Sequence, residues 1–156
     1  MGTIKNITMA IAICLTAAGC QSTGSIDTAK TASVEPTDIS AMDLASGKEQ
    51  FREANFGLAE KHFRKTVELN AMSASGWLGL AASYDQLGRF DFSDRAYEQL
   101  IKLQGKKPEI LNNQGYSQLL RGNHKKAGKL FAEALAARPG DPRILANIEL
   151  MKKMRG

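Results

Sequence analysis

The side chains best suited to nucleophilic or metal chemistry in this sequence are few: Cys14 and Cys20 near the amino terminus, and His62 and His124 far apart in the remainder. A zinc site needs three or four Cys, His or carboxylate ligands held together, and neither histidine has a Cys or His neighbour. No H-E-x-x-H or G-x-S-x-G run occurs. The stretch from Gly122 to Lys129, GNHKKAGK, has the glycines and lysine of a phosphate-binding loop. Its spacing is one residue too long, and Leu130 stands where a Ser or Thr would hold magnesium. The chain is therefore expected to be no enzyme and to hold neither metal nor cofactor. Two kinds of chemistry remain, that of the Cys20 thiol and that of surfaces.

Residues 1–20 read MGTIKNITMAIAICLTAAGC. Lys5 supplies a positive charge, and Ile7 to Ala18 form an apolar run too short to span a bilayer comfortably. The small residues Ala17, Ala18 and Gly19 lead directly into Cys20, with Leu15 just upstream. This arrangement resembles the lipobox of bacterial lipoproteins. The resemblance implies that the Cys20 thiol takes a diacylglycerol thioether, that residues 1–19 are a signal peptide cleaved before Cys20, and that the new amine is acylated, with fatty chains such as palmitate. A thiol suits the role because its thiolate is the nucleophile. Each buried lipid CH₂ adds about 0.8 kcal/mol, so two or three chains make a firm membrane anchor. Gln21 stands where an Asp would imply retention at the inner membrane, so the resemblance implies an outer-membrane protein facing the periplasm. Cys14 falls in the removed segment, which leaves one cysteine and no disulfide. Residues 20–39, rich in Ser, Thr and Ala, are expected to be the lipidated Cys and a flexible tether.

The rest of the chain is helix-biased. Hydrophobic residues make up 43% and aromatics only 6%, and from about residue 40 Ala, Leu, Lys, Glu, Gln and Arg predominate. The formal charge is +5, graded from −2 over residues 20–39 to +3 over 142–156. Such a basic end favours an acidic protein face or anionic lipid. It carries no nucleic-acid recognition motif and no stacking aromatics, so no nucleic-acid partner is expected.

An internal repeat organises the chain from residue 40. Gly47, Ala81 and Gly115 stand 34 residues apart, as do Ala59, Ser93 and Ala127, and Phe63, Tyr97 and Phe131. Phe56, Phe90 and His124 follow the same shift, as do Val67, Ile101 and Leu135. The units are 40–73, 74–107 and 108–141, and no gap is needed. Gly88 and Gly122 fall where a turn inside each unit needs a permissive backbone. Pro139 and Pro142 bracket the last turn between units. In residues 142–156 the side chains of Ile144, Leu145, Ile148, Leu150 and Met151 are expected on one broad apolar face, with Lys152, Lys153 and Arg155 at the favourable end of the helix dipole.

This pattern of small and large positions resembles the tetratricopeptide repeat (TPR) family over about 100 residues. The second unit matches through Trp77, Leu80, Ala81, Tyr84, Ser93 and Tyr97, and the third through Leu111, Gly115, Ala127, Phe131, Ala134 and Pro139. The first departs, with Asp43 where Trp77 stands and Gln50 where Tyr84 stands. The resemblance implies an all-α, right-handed TPR solenoid of three helix-turn-helix repeats, the first divergent, closed by a capping helix at 142–156. One hairpin cannot bury its apolar face alone, so the repeats stack.

In TPR domains the first helix of each repeat lines a concave groove that holds protein partners. Carried onto the third repeat, the lining positions are Glu109, Asn112, Asn113, Tyr116, Leu119 and Leu120, the expected partner-binding set. In the second they are Ser75, Leu78, Gly79, Ala82, Asp85 and Gln86. Asn side chains both donate to and accept from a peptide backbone, and Tyr116 offers apolar area with a polar tip. The basic set that clamps C-terminal carboxylates is missing, since Leu44 and Lys48 hold its first-repeat positions.

The run LNNQGYSQLLRGNHKKAGKLFAEALAARPGDPRILANIELM, with its L-N-N-x-G-Y, L-L-R-G and P-G-x-P-R-x-x-x-N elements, resembles the TadD family, short TPR lipoproteins of the tight-adherence (Flp) pilus system. That resemblance implies a scaffold for assembly of the pilus or a related secretion apparatus, with an outer-membrane secretin or other pilus components as partners. The L-N-N-x-G-Y element is also similar to NlpI and PilF-like lipoproteins, so the alternative is an envelope adaptor that recruits peptidoglycan hydrolases or a protease.

Overall fold

The computed structural model describes residues 36–155. Seven helices account for the regular structure there: α1 (Pro36–Arg52), α2 (Phe56–Leu69), α3 (Ala74–Gln86), α4 (Phe90–Gln104), α5 (Pro108–Leu120), α6 (His124–Ala137) and α7 (Pro142–Arg155). The expected signal peptide, Cys20 and the expected tether as far as residue 35 lie outside the described residues. Helix α1 begins four residues before the expected boundary at 40. Pro36 opens it, and a proline at a first helical position has its φ set for the helix and no N–H to waste.

The 34-residue period fixes the element ends. Helices α1, α3 and α5 finish at Arg52, Gln86 and Leu120, and α2, α4 and α6 begin at Phe56, Phe90 and His124. Each odd helix packs against the even helix that follows it, and α7 packs on α6 and the flank of α5. The three turns inside the hairpins are built alike. The N–H groups of Asn55, Arg89 and Asn123 donate to the carbonyls of Gln50, Tyr84 and Gln118 at 2.9, 2.8 and 2.8 Å. The residues just before them, Ala54, Gly88 and Gly122, have φ of 60°, 69° and 75°. A closing residue in this left-handed region lets the chain return and satisfies the last helical carbonyls. At Ala54 the conformation is held by a residue with a Cβ, which disfavours it by about 1–2 kcal/mol. Ala54→Gly is therefore expected to stabilise the protein by about 0.5–1 kcal/mol, after the extra freedom glycine gives the unfolded chain, as read from the urea midpoint.

The departures in the first repeat leave its hairpin regular. Gln50 has a counterpart in Gln118 of the third repeat. Each accepts a hydrogen bond at 3.1 Å from the Nδ2 of an asparagine five residues on, Asn55 and Asn123. Asp43, where Trp77 stands in the second repeat, is 7% exposed. It meets His62 Nδ1 and Lys65 Nζ at 3.0 Å each. Burial opposes its ionisation, but the bonds from His62 and Lys65 outweigh it and hold the carboxyl below its ordinary range.

The core is divided. One cluster joins the first two repeats through Ala59, Phe63, Val67, Leu80, Ala81, Ala96, Tyr97 and Leu100, and reaches Ile110. A second joins the third repeat to α7 through Leu111, Leu119, Ala127, Phe131, Ala134, Ile144 and Met151. A polar joint lies between them. Asp85, 5% exposed, accepts from Ser117 Oγ at 2.6 Å and from the Tyr97 hydroxyl at 3.2 Å. Arg121 donates through both terminal nitrogens to Asp94 at 2.7 Å and through Nη2 to Ser117 Oγ at 2.9 Å. Its guanidinium also lies 4.7 Å from the Phe90 ring centre. Burial pushes the Asp85 carboxyl above its ordinary range against these hydrogen bonds and the nearby Arg121 charge.

Helix α7 closes the stack less completely than the sequence suggests. Ile144 and Met151 are buried, but Leu145, Leu150 and Met154 are 43%, 39% and 52% exposed. The helix rests mainly on α6, so only a narrow strip of it is covered, and the broad apolar face expected from the sequence is divided between core and solvent.

Candidate partner-binding groove

Helices α1, α3 and α5 pack side by side and leave an open concavity of about 340 Å³. Lys48 and Phe51 come from α1, Ser75, Leu78, Gly79 and Ala82 from α3, and Asn113 from α5. The ring of Phe63, from α2, forms part of the floor. Two glycines make this possible. A Cβ added to Gly79 would stand 2.4 Å from the Phe63 ring, and one added to Gly47 would stand 2.8 Å from it. The ring thus fills the space that a side chain at either glycine would need, in close contact with the backbones of α1 and α3. The third repeat repeats half of the device, with Gly115 2.5 Å from the Phe131 ring by the same measure.

The groove is nearly uncharged. Helices α3 and α5 contain no Lys or Arg, and no carboxylate lines the concavity, which leaves Lys48 as its charged group. Ser75 and Asn113 add neutral donors and acceptors.

This concavity is lined mainly from the first two repeats, and Glu109, Asn112 and Asn113 of the expected third-repeat set border a separate, smaller cavity with Asp141, Arg143 and Ile144. Asn113 also lines the larger concavity, as expected. Asn112 is buried and accepts a hydrogen bond from Asn147 Nδ2 of α7 at 3.0 Å. Leu119 is 1% exposed and belongs to the second core cluster, against which half-buried Tyr116 also packs. Glu109 pairs with Arg138 at 2.8 Å, and its own backbone N–H together with that arginine holds its carboxyl below the ordinary range. Leu120, the last residue of α5, is exposed but outside the groove lining. The physical reason is α7, which covers the flank of α5 that a further repeat would otherwise meet. In the second repeat Ser75, Leu78, Gly79 and Ala82 lie where expected, whereas Asp85 is buried in the joint to the third repeat. Lys48 lies at the first-repeat position already named for it, and Phe51, which the sequence did not single out, follows from the same repeat positions applied to the first unit.

Comparison with known proteins agrees with this architecture. Residues 83–142 match the tetratricopeptide repeat family model. The chain is built as a TPR solenoid. The cytochrome c-type biogenesis protein CycH of Pseudomonas aeruginosa is 27% identical over 113 residues, covering 71% of this chain and 28% of CycH. Among solved structures, Pseudomonas aeruginosa PilF superposes with a TM-score of 0.64 at 19% identity, over 77% of this chain and 55% of PilF. The Yersinia enterocolitica type III secretion chaperone SycD, in complex with a peptide of the translocator YopD, gives 0.60 at 18%, over 74% and 94%. At these identities the structural likeness is one of fold, and the chain spans just over a quarter of its relative CycH.

Within the TPR array the L-N-N-x-G-Y residues have mainly architectural work. Leu111 is in the core, Asn112 fastens α7, and Gly115 makes room for Phe131. Asn147→Ala would leave the buried Asn112 carbonyl oxygen without this donor, at a cost of about 1–2 kcal/mol. Faster amide exchange in α7 than in α1–α4 is the expected readout.

Proposed function

We propose that this TPR protein is a membrane-anchored scaffold lipoprotein for assembly of a Flp/tight-adherence pilus or a related secretion apparatus. It holds a segment of a protein partner, such as an outer-membrane secretin, in its concave groove. The observation that carries the reading is the open, nearly neutral groove along α1, α3 and α5, whose lining offers apolar area with a few polar groups and no catalytic constellation. Two fold neighbours lend support: PilF by its name, and SycD because that protein is seen with a translocator peptide. In this reading Cys20 carries the lipid, residues 21–35 lead from the anchor to α1, and the solenoid faces the periplasm from the outer membrane.

The test is capture from detergent-solubilised envelopes, with wild type compared against a Lys48→Glu, Leu78→Glu variant. A pilus secretin captured by wild type and lost in the variant supports the scaffold and its groove. Capture of peptidoglycan hydrolases or a protease in its place supports the envelope-adaptor alternative. Labelled palmitate incorporated by wild type and not by Cys20→Ser supports the anchor, and equal absence from both proteins overturns it.

A further inference from the structure

The turns inside the three hairpins share one edge of the solenoid. Helices α1, α3 and α5 run parallel and side by side, so their last residues and the first residues of α2, α4 and α6 come to the same side. Helix α7, beside α5, brings Lys153 there as well. Leu58 and Phe92, which hold the same place in successive repeats, are 49% and 53% exposed at this edge. Lys61 and Arg95 follow them by one helical turn, and Lys129 holds that place in the third repeat; all three are exposed. Lys61, Arg95, Lys125, Lys126, Lys129 and Lys153 form no ion pair among the described residues. Of the carboxylates near the turns, Glu49, Glu60 and Asp94 are paired with arginines and Asp85 is buried, which leaves Glu53 and Asp91 against this row of cations.

Helix α6 begins with His124, Lys125 and Lys126, has no acid in its first turn and gains no side-chain bond from Asn123. Cations at that end oppose the helix dipole, so the two lysines work against the helix unless an anion meets them. Helix α1 begins at the opposite edge, about 25 Å away along its 17 residues. Residues 20–35 reach at most about 55 Å, enough for the turn edge to meet a bilayer that holds a lipidated Cys20.

We propose that this edge rests on an anionic lipid surface. Leu58 and Phe92 enter the boundary between headgroups and acyl chains, and Lys61, Arg95, Lys125 and Lys126 meet lipid phosphates. Single apolar side chains set among cations suit that boundary better than a protein partner, whose interface has an apolar core depleted of charge. The edge shares no residue with the groove lining, so lipid and a protein partner do not compete for the same side chains. The inference takes from the proposed function only the anchor at Cys20.

The test moves the single tryptophan from one edge to the other. Trp77 lies near the start of α3, with its Nε1 donating to the Ala71 carbonyl in the turn between repeats, and so reports the far edge. Trp77→Phe combined with Phe92→Trp puts the reporter on the hairpin-turn edge. Each full chain is reconstituted into vesicles of brominated phosphatidylcholine, with or without an equal part of phosphatidylglycerol. The expected result is quenching of the swapped protein in the phosphatidylglycerol vesicles, weakening as salt is raised, with the Trp77 protein unquenched. Lys125→Glu with Lys126→Glu, added to the swapped protein, abolishes the quenching, at about a fivefold loss in the docking equilibrium for each lysine. Its melting temperature rises, because acids suit that end of a helix.

Equal quenching of both tryptophan placements, or quenching indifferent to phosphatidylglycerol, overturns the oriented contact. Quenching retained in Lys125→Glu, Lys126→Glu overturns the part given to the lysines. Absence of quenching in every vesicle overturns the lipid and gives the cations to an acidic protein face. The mass of the Cys20 peptide reports the anchor separately, so failure of the anchor is told apart from failure of the edge.

Discussion

Arg121→Ala is expected to destabilise the protein by about 3 kcal/mol and to divide its unfolding into two steps. The side chain is 13% exposed and holds both oxygens of Asp94 and the hydroxyl of Ser117, so α5 is tied to α4 by one guanidinium. Removing one partner of a mostly buried charge network costs more than the network contributes as a whole, because the remaining groups stay desolvated. Here the group left behind is Asp85, 3.8 Å from Arg121 and already pushed above its ordinary range by burial. Without the nearby cation its native pKa rises further while its unfolded value is unchanged. The ionised carboxylate then costs most at pH 7, and the loss shrinks as acid protonates Asp85 in the native state, so the variant's deficit should be smaller near pH 4 than at pH 7. In a stack whose stability is a sum of repeats and interfaces, weakening one interface uncouples its two sides. Trp77 lies on the first-cluster side of the joint and is the chain's single tryptophan, whereas far-ultraviolet circular dichroism reports every helix. Coincident urea transitions for the two signals in Arg121→Ala would show that the joint does not control cooperativity. Arg121→Lys keeps the charge but cannot grip Asp94 with a fork, and should restore only part of the loss.

The larger loss is expected at Phe63. Phe63→Ala should cost about 3–5 kcal/mol, the range for removing a fully buried aromatic ring. The ring is 2% exposed and bears on Gly47 and Gly79, so its removal empties the hairpin of the first repeat and its interface with the second together. Amide exchange in α1 and α2 should rise well before that in α5 and α6. A milder variant tests the packing argument itself. Gly79→Ala brings a methyl group into the ring and should destabilise by about 1–3 kcal/mol, despite alanine's better helix propensity. Combined with Phe63→Leu, which withdraws the ring atoms in the way, it should cost less than the sum of the two changes. Strict additivity would mean that the ring has room to move and that the two glycines are not its clamp.

Much of this fold was written in the 34-residue spacing. The recurrence of small residues at Gly47, Ala81 and Gly115 and of large ones at Phe63, Tyr97 and Phe131 foretold both the helix pairs and which side chains face one another. The reason is local: a helix pair approaches closely only where one side lacks bulk, and that requirement shows in residue size. Gly88 and Gly122 marked their turns for a similar reason, since the left-handed backbone there favours a residue without a Cβ. Ala54 takes the same conformation with no such mark, because the framework of the hairpin overrides its preference.

The sequence by itself determined the repeat, the hairpins and four of the six α3 residues it placed on the concavity, Ser75, Leu78, Gly79 and Ala82. Only the tertiary structure decided where the groove lies and where the core divides. Asn112 and Leu119 occupy groove positions by register, but α7 and the second core cluster claim them, and no count along the chain tells which flank of a repeat its neighbour will cover. Asp85 likewise sits at a lining position yet is buried, because Ser117 and Arg121, more than 30 residues away, come to meet it. The space beside Gly79 is filled by a ring from the preceding repeat, in close contact with two backbones. Spacing within a repeat is a property of one helix pair, whereas exposure is a property of the whole stack, and that difference separates what could be read from what had to be seen.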